Sequence, residues 1–150
     1  MEPEDEDVTA DFPINLIGFS KGCMVLNQIT YEFKKISTSA DHADLQDFAS
    51  RLDAMYWLDS GNGGHANAYV TDEDVLFQIA HNVPKVRVHV TPYQIKDESR
   101  PWIEKEEKKF VSQLKSLGID IKEKVHFADK KPSLSNHFRV LTDFKAPSST

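Results

Sequence analysis

The sequence has few cysteines and no long apolar run. Cys23 is the only cysteine among 150 residues, which excludes an internal disulfide framework and a multi-cysteine zinc site. No apolar run approaches the roughly 20 residues that a membrane-spanning helix needs. Nucleotide-binding glycine motifs and His-x-x-x-His spacings are absent as well. We therefore expect no cofactor, no metal and no membrane span.

Basic residues are missing from the first eleven positions, which hold six acids. The remaining chain carries 18 residues of each sign and is neutral, so it lacks the basic surface of a nucleic-acid-binding protein. Residues 1–11 are expected to form a disordered acidic arm, and residues 145–150 a frayed tail. Signal and mitochondrial transit peptides are basic or poor in acids, so we see no targeting segment here.

The periodicity of residues 12–144 predicts one α/β domain. Strands are predicted at about residues 13–18, 52–58, 86–90 and 119–127. Helices are predicted at 23–36, 71–81 and 101–118, the last being the longest and ending at Gly118. Residues 37–50 are predicted as a loop with a short helical turn. Strands that alternate with long helices predict a mostly parallel sheet covered on both faces, and the apolar first strand should be buried on both.

A strand, a sharp turn and a helix surround the pentapeptide Gly18-Phe19-Ser20-Lys21-Gly22. This context is typical of the nucleophile elbow of hydrolases, in which a strained turn exposes the serine hydroxyl. Both flanking glycines are expected to allow close approach of strand and helix. Ser20 is therefore the candidate nucleophile, and the backbone N–H of Lys21 is a candidate oxyanion donor. Cys23, just after the turn, is interpreted as a small buried residue.

A serine nucleophile needs a histidine base and an acid that orients it, and elbow folds supply them in the chain order serine, acid, histidine. His137 is the best histidine candidate, because it follows the last predicted strand in a loop-like stretch. His89 and His126 lie within predicted strands. Asp97, after the third strand, is the favoured acid, and Asp59, directly after the second strand, is the alternative.

The glycine-rich turn at residues 60–64 lacks the spacing of a phosphate-binding loop and is interpreted as a flexible connection. A second oxyanion donor would come from a loop after an earlier strand, which this chain does not contain.

Several blocks of sequence resemble the chromosome 2 open reading frame 69 family, which is serine-hydrolase-like. The matching blocks are residues 18–23 with 25–28, 55–59, 89–94, 108–111 and 136–140. The resemblance implies the C-terminal half of an α/β-hydrolase fold, a mitochondrial location and the candidate set Ser20, Asp97 and His137. A complete fold of this kind has about four further strands before the elbow, in a domain of roughly 200 or more residues. We therefore expect this chain to be an incomplete fragment.

Two functions remain open at this stage. The first is a serine hydrolase that acts on an ester, thioester or amide of a small acyl substrate. The alternative is an inactive, hydrolase-like interaction or regulatory protein, since fold does not fix function. If the chain is instead a complete short protein, a protein partner would have to cover the open edge of the first strand.

Overall fold

The computed structural model describes residues 12–38 and 43–145, so the predicted acidic arm and residues 146–150 lie outside it. Four parallel strands form one sheet in the order β1-β2-β3-β4. The strands are β1 (Ile14–Phe19), β2 (Leu52–Leu58), β3 (Lys85–Val90) and β4 (Asp120–Val125). The helices are α1 (Cys23–Thr38), α2 (Ala43–Arg51), α3 (Glu73–Asn82), α4 (Pro92–Ile95), α5 (Trp102–Ser116) and α6 (Leu134–Asp143). The predicted α/β class is confirmed.

The central strands carry the core. Every residue of β2 except Asp53 is buried, and β3 buries its three valines. Trp57 of β2 packs on Phe110 of α5 with ring centroids 5.0 Å apart, and its indole N–H donates to Asn27 Oδ1 of α1 over 2.8 Å. These contacts fix α1 and α5 against the sheet and thereby fix the turn from which α1 begins.

The first strand lies at the edge of the sheet and is only partly buried, which corrects the expectation that it is buried on both faces. Within the described residues β1 pairs with β2 alone, and Gly18 is its only buried residue. Ile17 is 46% exposed. Among the described residues the second edge of β1 is therefore open, and most of its side chains are only partly buried.

Two helix predictions need correction. Residues 37–50 are more helical than predicted, because α1 extends to Thr38 and α2 adds nine residues that bury Ala49. With 16 residues, α1 is also longer than α5, which has 15. The glycine stop after α5 is confirmed, since Gly118 has φ +83°, a conformation that other residues rarely adopt.

The last helix was not predicted. His137 lies within α6 rather than in a loop, because the Ser133 hydroxyl accepts a hydrogen bond from the N–H of Asn136 and caps the helix. β4 ends at Val125, so His126 follows the strand instead of lying inside it. The side chains that end β1, β2 and β3 and those on α6 therefore meet at the carboxyl edge of the sheet.

Candidate active site at the carboxyl edge of the sheet

Ser20 occupies a strained turn between β1 and α1. Its φ of +55° lies in the left-handed region, which costs a residue other than glycine about 1–3 kcal/mol and persists only where the surrounding structure holds it. Residues Ser20–Gly22 form a single 3₁₀ turn before Cys23 starts the helix. This is the geometry that the elbow motif predicts, and it lifts the side chain of Ser20 away from the sheet.

Only one of the two glycines of the motif is required by packing. A Cβ at position 18 would lie 2.9 Å from Leu26 Cδ1 and 3.0 Å from Cys23 Cα. At position 22 a Cβ would meet no atom within 4 Å. The expectation of close approach thus holds for Gly18 and is wrong for Gly22, which lies at the open side of the turn.

The serine hydroxyl contacts the predicted histidine. Ser20 Oγ lies 3.0 Å from His137 Nε2, and His137 Nδ1 lies 2.6 Å from Asp59 Oδ2. A carboxylate can only accept, so Nδ1 carries the proton and Nε2 is free to accept the serine proton. The structure thus joins serine, histidine and acid in one chain of hydrogen bonds.

Asp59, and not the favoured Asp97, is the acid in contact with His137. It directly follows β2 at φ +45°, and its side chain is fully buried. Thr91, after β3, donates to both carboxylate oxygens: its N–H to Oδ1 over 2.8 Å and its hydroxyl to Oδ2 over 2.5 Å. These bonds, together with His137, satisfy a buried charge that would otherwise be costly. The sequence motif Thr91-Pro92 gave no signal of this role.

Asp97 is engaged elsewhere. One of its oxygens accepts from the N–H and hydroxyl of Ser99, and the other accepts from Arg100 Nε over 2.8 Å. The hydrogen bonds from Ser99 and Arg100 lower the pKa of Asp97 to about 2. It is a turn residue that orders the segment before α5, so the preference for Asp97 is corrected in favour of Asp59.

Aromatic rings hold the imidazole in place. His137 is only 3% exposed, and the rings of Phe19 and Tyr93 both contact its ring, with each centroid distance 4.7 Å. These two ring contacts restrict rotation about the histidine side-chain bonds. Phe19, Tyr93 and Thr91 are site residues that sequence reasoning missed, since no motif marks residues that orient a base.

A cavity of about 330 Å³ opens beside Ser20 and His137. Its apolar wall comes from Phe19, Tyr93 and two α6 residues, Leu134 and Phe138. Lys21, Gln94 and Arg100 supply its polar part. The cavity has the mixed character of a site for a small organic substrate.

Gln94 was also missed by sequence reasoning. Its side chain is 3% exposed, and its Oε1 is buried without a hydrogen-bond partner. The amide packs so tightly on Gly61 that a Cβ there would lie 2.4 Å from Nε2. The turn at residues 60–64 therefore has a packing requirement at its second residue.

Lys21 and Cys23 complete the turn. The backbone N–H of Lys21 remains a predicted oxyanion donor, while its side chain is exposed and lines the cavity. Cys23 is fully buried beneath the turn, as interpreted from the sequence, and its thiol lies 3.7 Å from the carbonyl oxygen of Leu58. Burial raises the pKa of this thiol to about 12, so it is not a nucleophile at neutral pH.

In the described ranges, no cluster of three or more histidine, cysteine or acidic side chains has the geometry of a metal site. Nor is any helix of the described residues long and apolar enough to cross a bilayer.

Comparison with known proteins gives one family. Residues 3–120 match the family model described as C2orf69. The chain is 46% identical over 125 residues to the Mus musculus protein named mitochondrial protein C2orf69 homolog, covering 83% of this chain. It is 42% identical over 135 residues to the Danio rerio homolog and 42% identical over 146 residues to the Homo sapiens mitochondrial protein C2orf69, covering 90% and 93% of this chain.

The relatives are much longer than this chain, which spans 39% of the Danio rerio protein, 33% of the Mus musculus protein and 37% of the Homo sapiens protein. No solved structure matches the chain.

Proposed function

The chain belongs to the C2orf69 family, and we propose that it carries the catalytic residues of a serine hydrolase acting on an ester, thioester or amide. The observation that carries this proposal is the hydrogen-bonded chain from Ser20 through His137 to Asp59, with Ser20 at positive φ. A surface serine, a structural histidine and a loop aspartate have no common reason to meet in this order.

The geometry supports an acyl-enzyme mechanism. Ser20 Oγ attacks the carbonyl carbon while His137 Nε2 takes its proton, and the buried carboxylate of Asp59 stabilises the imidazolium that forms. The N–H of Lys21 donates to the oxyanion. His137 then returns the proton to the leaving group, and water activated by the same nitrogen hydrolyses the acyl-enzyme.

The cavity favours a small acyl group. Leu134 and Phe138 of α6 and the ring of Phe19 offer an apolar surface next to the nucleophile. Burial of an acyl chain there would orient the carbonyl carbon toward Ser20 and convert binding energy into positioning.

The parallel sheet with its elbow at an edge strand supports assignment to the C-terminal part of an α/β-hydrolase fold. In this proposal the open edge of β1 is covered by further strands of a longer chain or by a protein partner, because an unpaired apolar edge promotes aggregation. The names of the relatives support a mitochondrial location.

Labelling with a fluorophosphonate probe tests the catalytic proposal. We expect the wild-type chain to be labelled, and Ser20→Ala to be unlabelled because it lacks the nucleophilic oxygen. His137→Ala should be labelled at least about 100-fold more slowly, since the serine then has no base. Ser112→Ala, an exposed serine of α5, is the matched control and should be labelled like the wild type.

Equal labelling of the wild type and Ser20→Ala would refute the catalytic proposal. Folded wild-type protein that is not labelled, both as this chain and at the full length of its relatives, would favour the inactive, hydrolase-like alternative.

A further inference from the structure

A second polar cluster lies on the sheet face opposite α5. Arg87 and His89 of β3 pair in register with Lys122 and Lys124 of β4, so the four side chains share one face. The alternate residues of β3, its three valines, are buried on the other face. A face that carries four basic or imidazole side chains is not an uncovered piece of apolar core.

Three side chains at this face form a chain of hydrogen bonds that the proposed hydrolase reaction does not use. Asp143 Oδ2 lies 2.5 Å from His126 Nδ1, and His126 Nε2 lies 2.7 Å from His89 Nδ1. Asp143 is in the last turn of α6, where the helix dipole disfavours a negative charge. Its hydrogen bond with His126 lowers its pKa, so Asp143 is ionised and His126 Nδ1 must donate to it.

The order of protons along this chain leaves one ring nitrogen available. When both rings are neutral, His126 Nε2 accepts from the N–H at His89 Nδ1, and His89 Nε2 keeps its lone pair. Among the described residues that nitrogen has no partner. Burial, aided by the positive charges of neighbouring side chains, lowers the pKa of His89 to about 4 and keeps its ring neutral.

His89 lines a cleft of about 450 Å³ together with Tyr56, Lys122, Lys124 and Lys145. Within residues 12–38 and 43–145 none of these lysines is in an ion pair. Arg87 also lines the cleft, but its guanidinium is held by Asp120 over 3.2 Å. Glu123 also lines the cleft, and the carboxylates of Asp120 and Asp143 interact electrostatically with Lys122 and Lys124. The three lysines still outnumber the one acid of the lining, so the cleft combines net positive charge with the hydrogen-bond acceptor at His89 Nε2.

We propose that this cleft binds a phosphate ester that carries a free hydroxyl group. The lysines hold the phosphate, and His89 Nε2 accepts a hydrogen bond from the hydroxyl. The cleft shares no lining residue with the cavity at Ser20, so the proposal does not depend on hydrolase activity. The hydrogen bonds between Asp143 and His126 and between His126 and His89 fix the tautomer and the orientation of His89.

The test is a titration of the ¹⁵N-labelled 150-residue chain with glycerol 3-phosphate, followed by NMR of the imidazole nitrogens. We expect a saturable shift of His89 Nε2 that glycerol does not produce. Sodium chloride at equal ionic strength should not produce this shift either, because the salt screens charges but donates no hydrogen bond to His89. Lysophosphatidic acid in phosphatidylcholine vesicles offers the same phosphate and hydroxyl on a lipid. Cosedimentation with these vesicles and no response to glycerol 3-phosphate would assign the site to a lipid headgroup.

Matched double variants identify the charges involved. Lys122→Gln with Lys124→Gln should weaken glycerol 3-phosphate binding by about tenfold or more, because two close charges are lost. Lys109→Gln with Lys115→Gln removes the same charge from exposed positions of α5 and should bind like the wild type. Ser20→Ala should also bind normally, even though the proposed hydrolase activity is lost.

Equal weakening in both double variants would overturn the proposal, as would a wild-type chain in which neither ligand moves the His89 resonance. If the Lys122 and Lys124 variant does not fold by circular dichroism, the wild-type responses to glycerol 3-phosphate, to glycerol and to the lysophosphatidic acid vesicles still decide, since they need no substitution.

Discussion

At the scale of single residues, the site depends on which carboxylate reaches His137. Asp59 and Asp97 both follow strands of a parallel sheet, and both are plausible from chain order alone. In the structure, Thr91 holds Asp59 under the imidazole, whereas Ser99 and Arg100 hold Asp97 in its own turn. A carboxylate with a full set of local partners is not available to orient a distant histidine.

Substitution of the two acids separates them. Asp59→Asn should lower the rate constant for fluorophosphonate labelling of Ser20 by about 10³–10⁴-fold, because an amide in this place favours the wrong histidine tautomer. Asp97→Asn should change it by less than about tenfold, since it alters only a turn. The rate constants are measured on variants whose circular dichroism matches the wild type. A larger loss for Asp97→Asn than for Asp59→Asn would contradict the assignment of the acid.

At the scale of the elements, the turn between β1 and α1 sets the position of Ser20, the proposed nucleophile. The strand and the helix approach so closely that Gly18 has no room for a side chain, and Ser20 adopts positive φ to leave the strand. The hydrogen bond from the Trp57 indole of β2 to Asn27 also holds α1 against the sheet. The strain at Ser20 is therefore balanced by packing of the whole element pair.

The two glycines of the motif should respond differently to the same substitution. Gly18→Ala should lower the free energy of unfolding by about 1–3 kcal/mol, because its Cβ would overlap Leu26 and the Cys23 backbone. Gly22→Ala meets open space and should change stability by less than about 1 kcal/mol. Urea unfolding of both variants gives the measurement. Equal losses of stability would show that the close contact of Gly18 with α1 does not exclude a side chain at position 18.

At the scale of the whole molecule, one buried carboxyl links stability to pH. Glu107 of α5 is 3% exposed, and its Oε1 has no hydrogen-bond partner. Burial, and to a smaller extent the hydrogen bond with Glu123 of β4, raises the pKa of Glu107 from 4.5 to about 9. Glu107 is buried on α5, whereas Glu123 is exposed, so ionisation of Glu107 opposes the packing of the fold.

The sign of the pH effect follows from proton binding. Between pH of about 4.5 and 9 Glu107 holds a proton in the folded state that it has lost in the unfolded chain, so the contribution of Glu107 to stability should fall as pH rises. Glu107→Gln should remove this fall and stabilise the protein above neutral pH. One proton limits the slope to about 1.4 kcal/mol per pH unit.

Urea unfolding at pH 5, 7 and 9 measures this effect. Glu98→Gln, at an exposed position, serves as the control and should keep the wild-type pH profile. Parallel profiles for the wild type and Glu107→Gln would contradict the raised pKa.

Much of the architecture follows from local sequence. The apolar run of β2, the alternation of β3 and the glycine stop after α5 each have a short-range cause, and the strands and helices they predict are present. The helices in residues 37–50 and at α6 do not follow from the local pattern, because these segments are polar on one side: α2 packs by burying Ala49, and α6 is capped by Ser133 and buries His137 and Val140. Local patterns do not report those tertiary contacts.

By itself, the sequence determined the α/β class through its periodicity and the turn at Ser20 through its glycine spacing, and chain order selected His137 as the candidate base. Only the tertiary structure decided between Asp59 and Asp97, and it alone brought His89, His126 and Asp143 together. Both arrangements depend on distances in space: how far each strand end lies from the His137 imidazole, and how far His89, His126 and Asp143 lie from one another. Side chains separated by 78 residues, as Asp59 and His137 are, meet because the sheet places them there and not because of any local pattern.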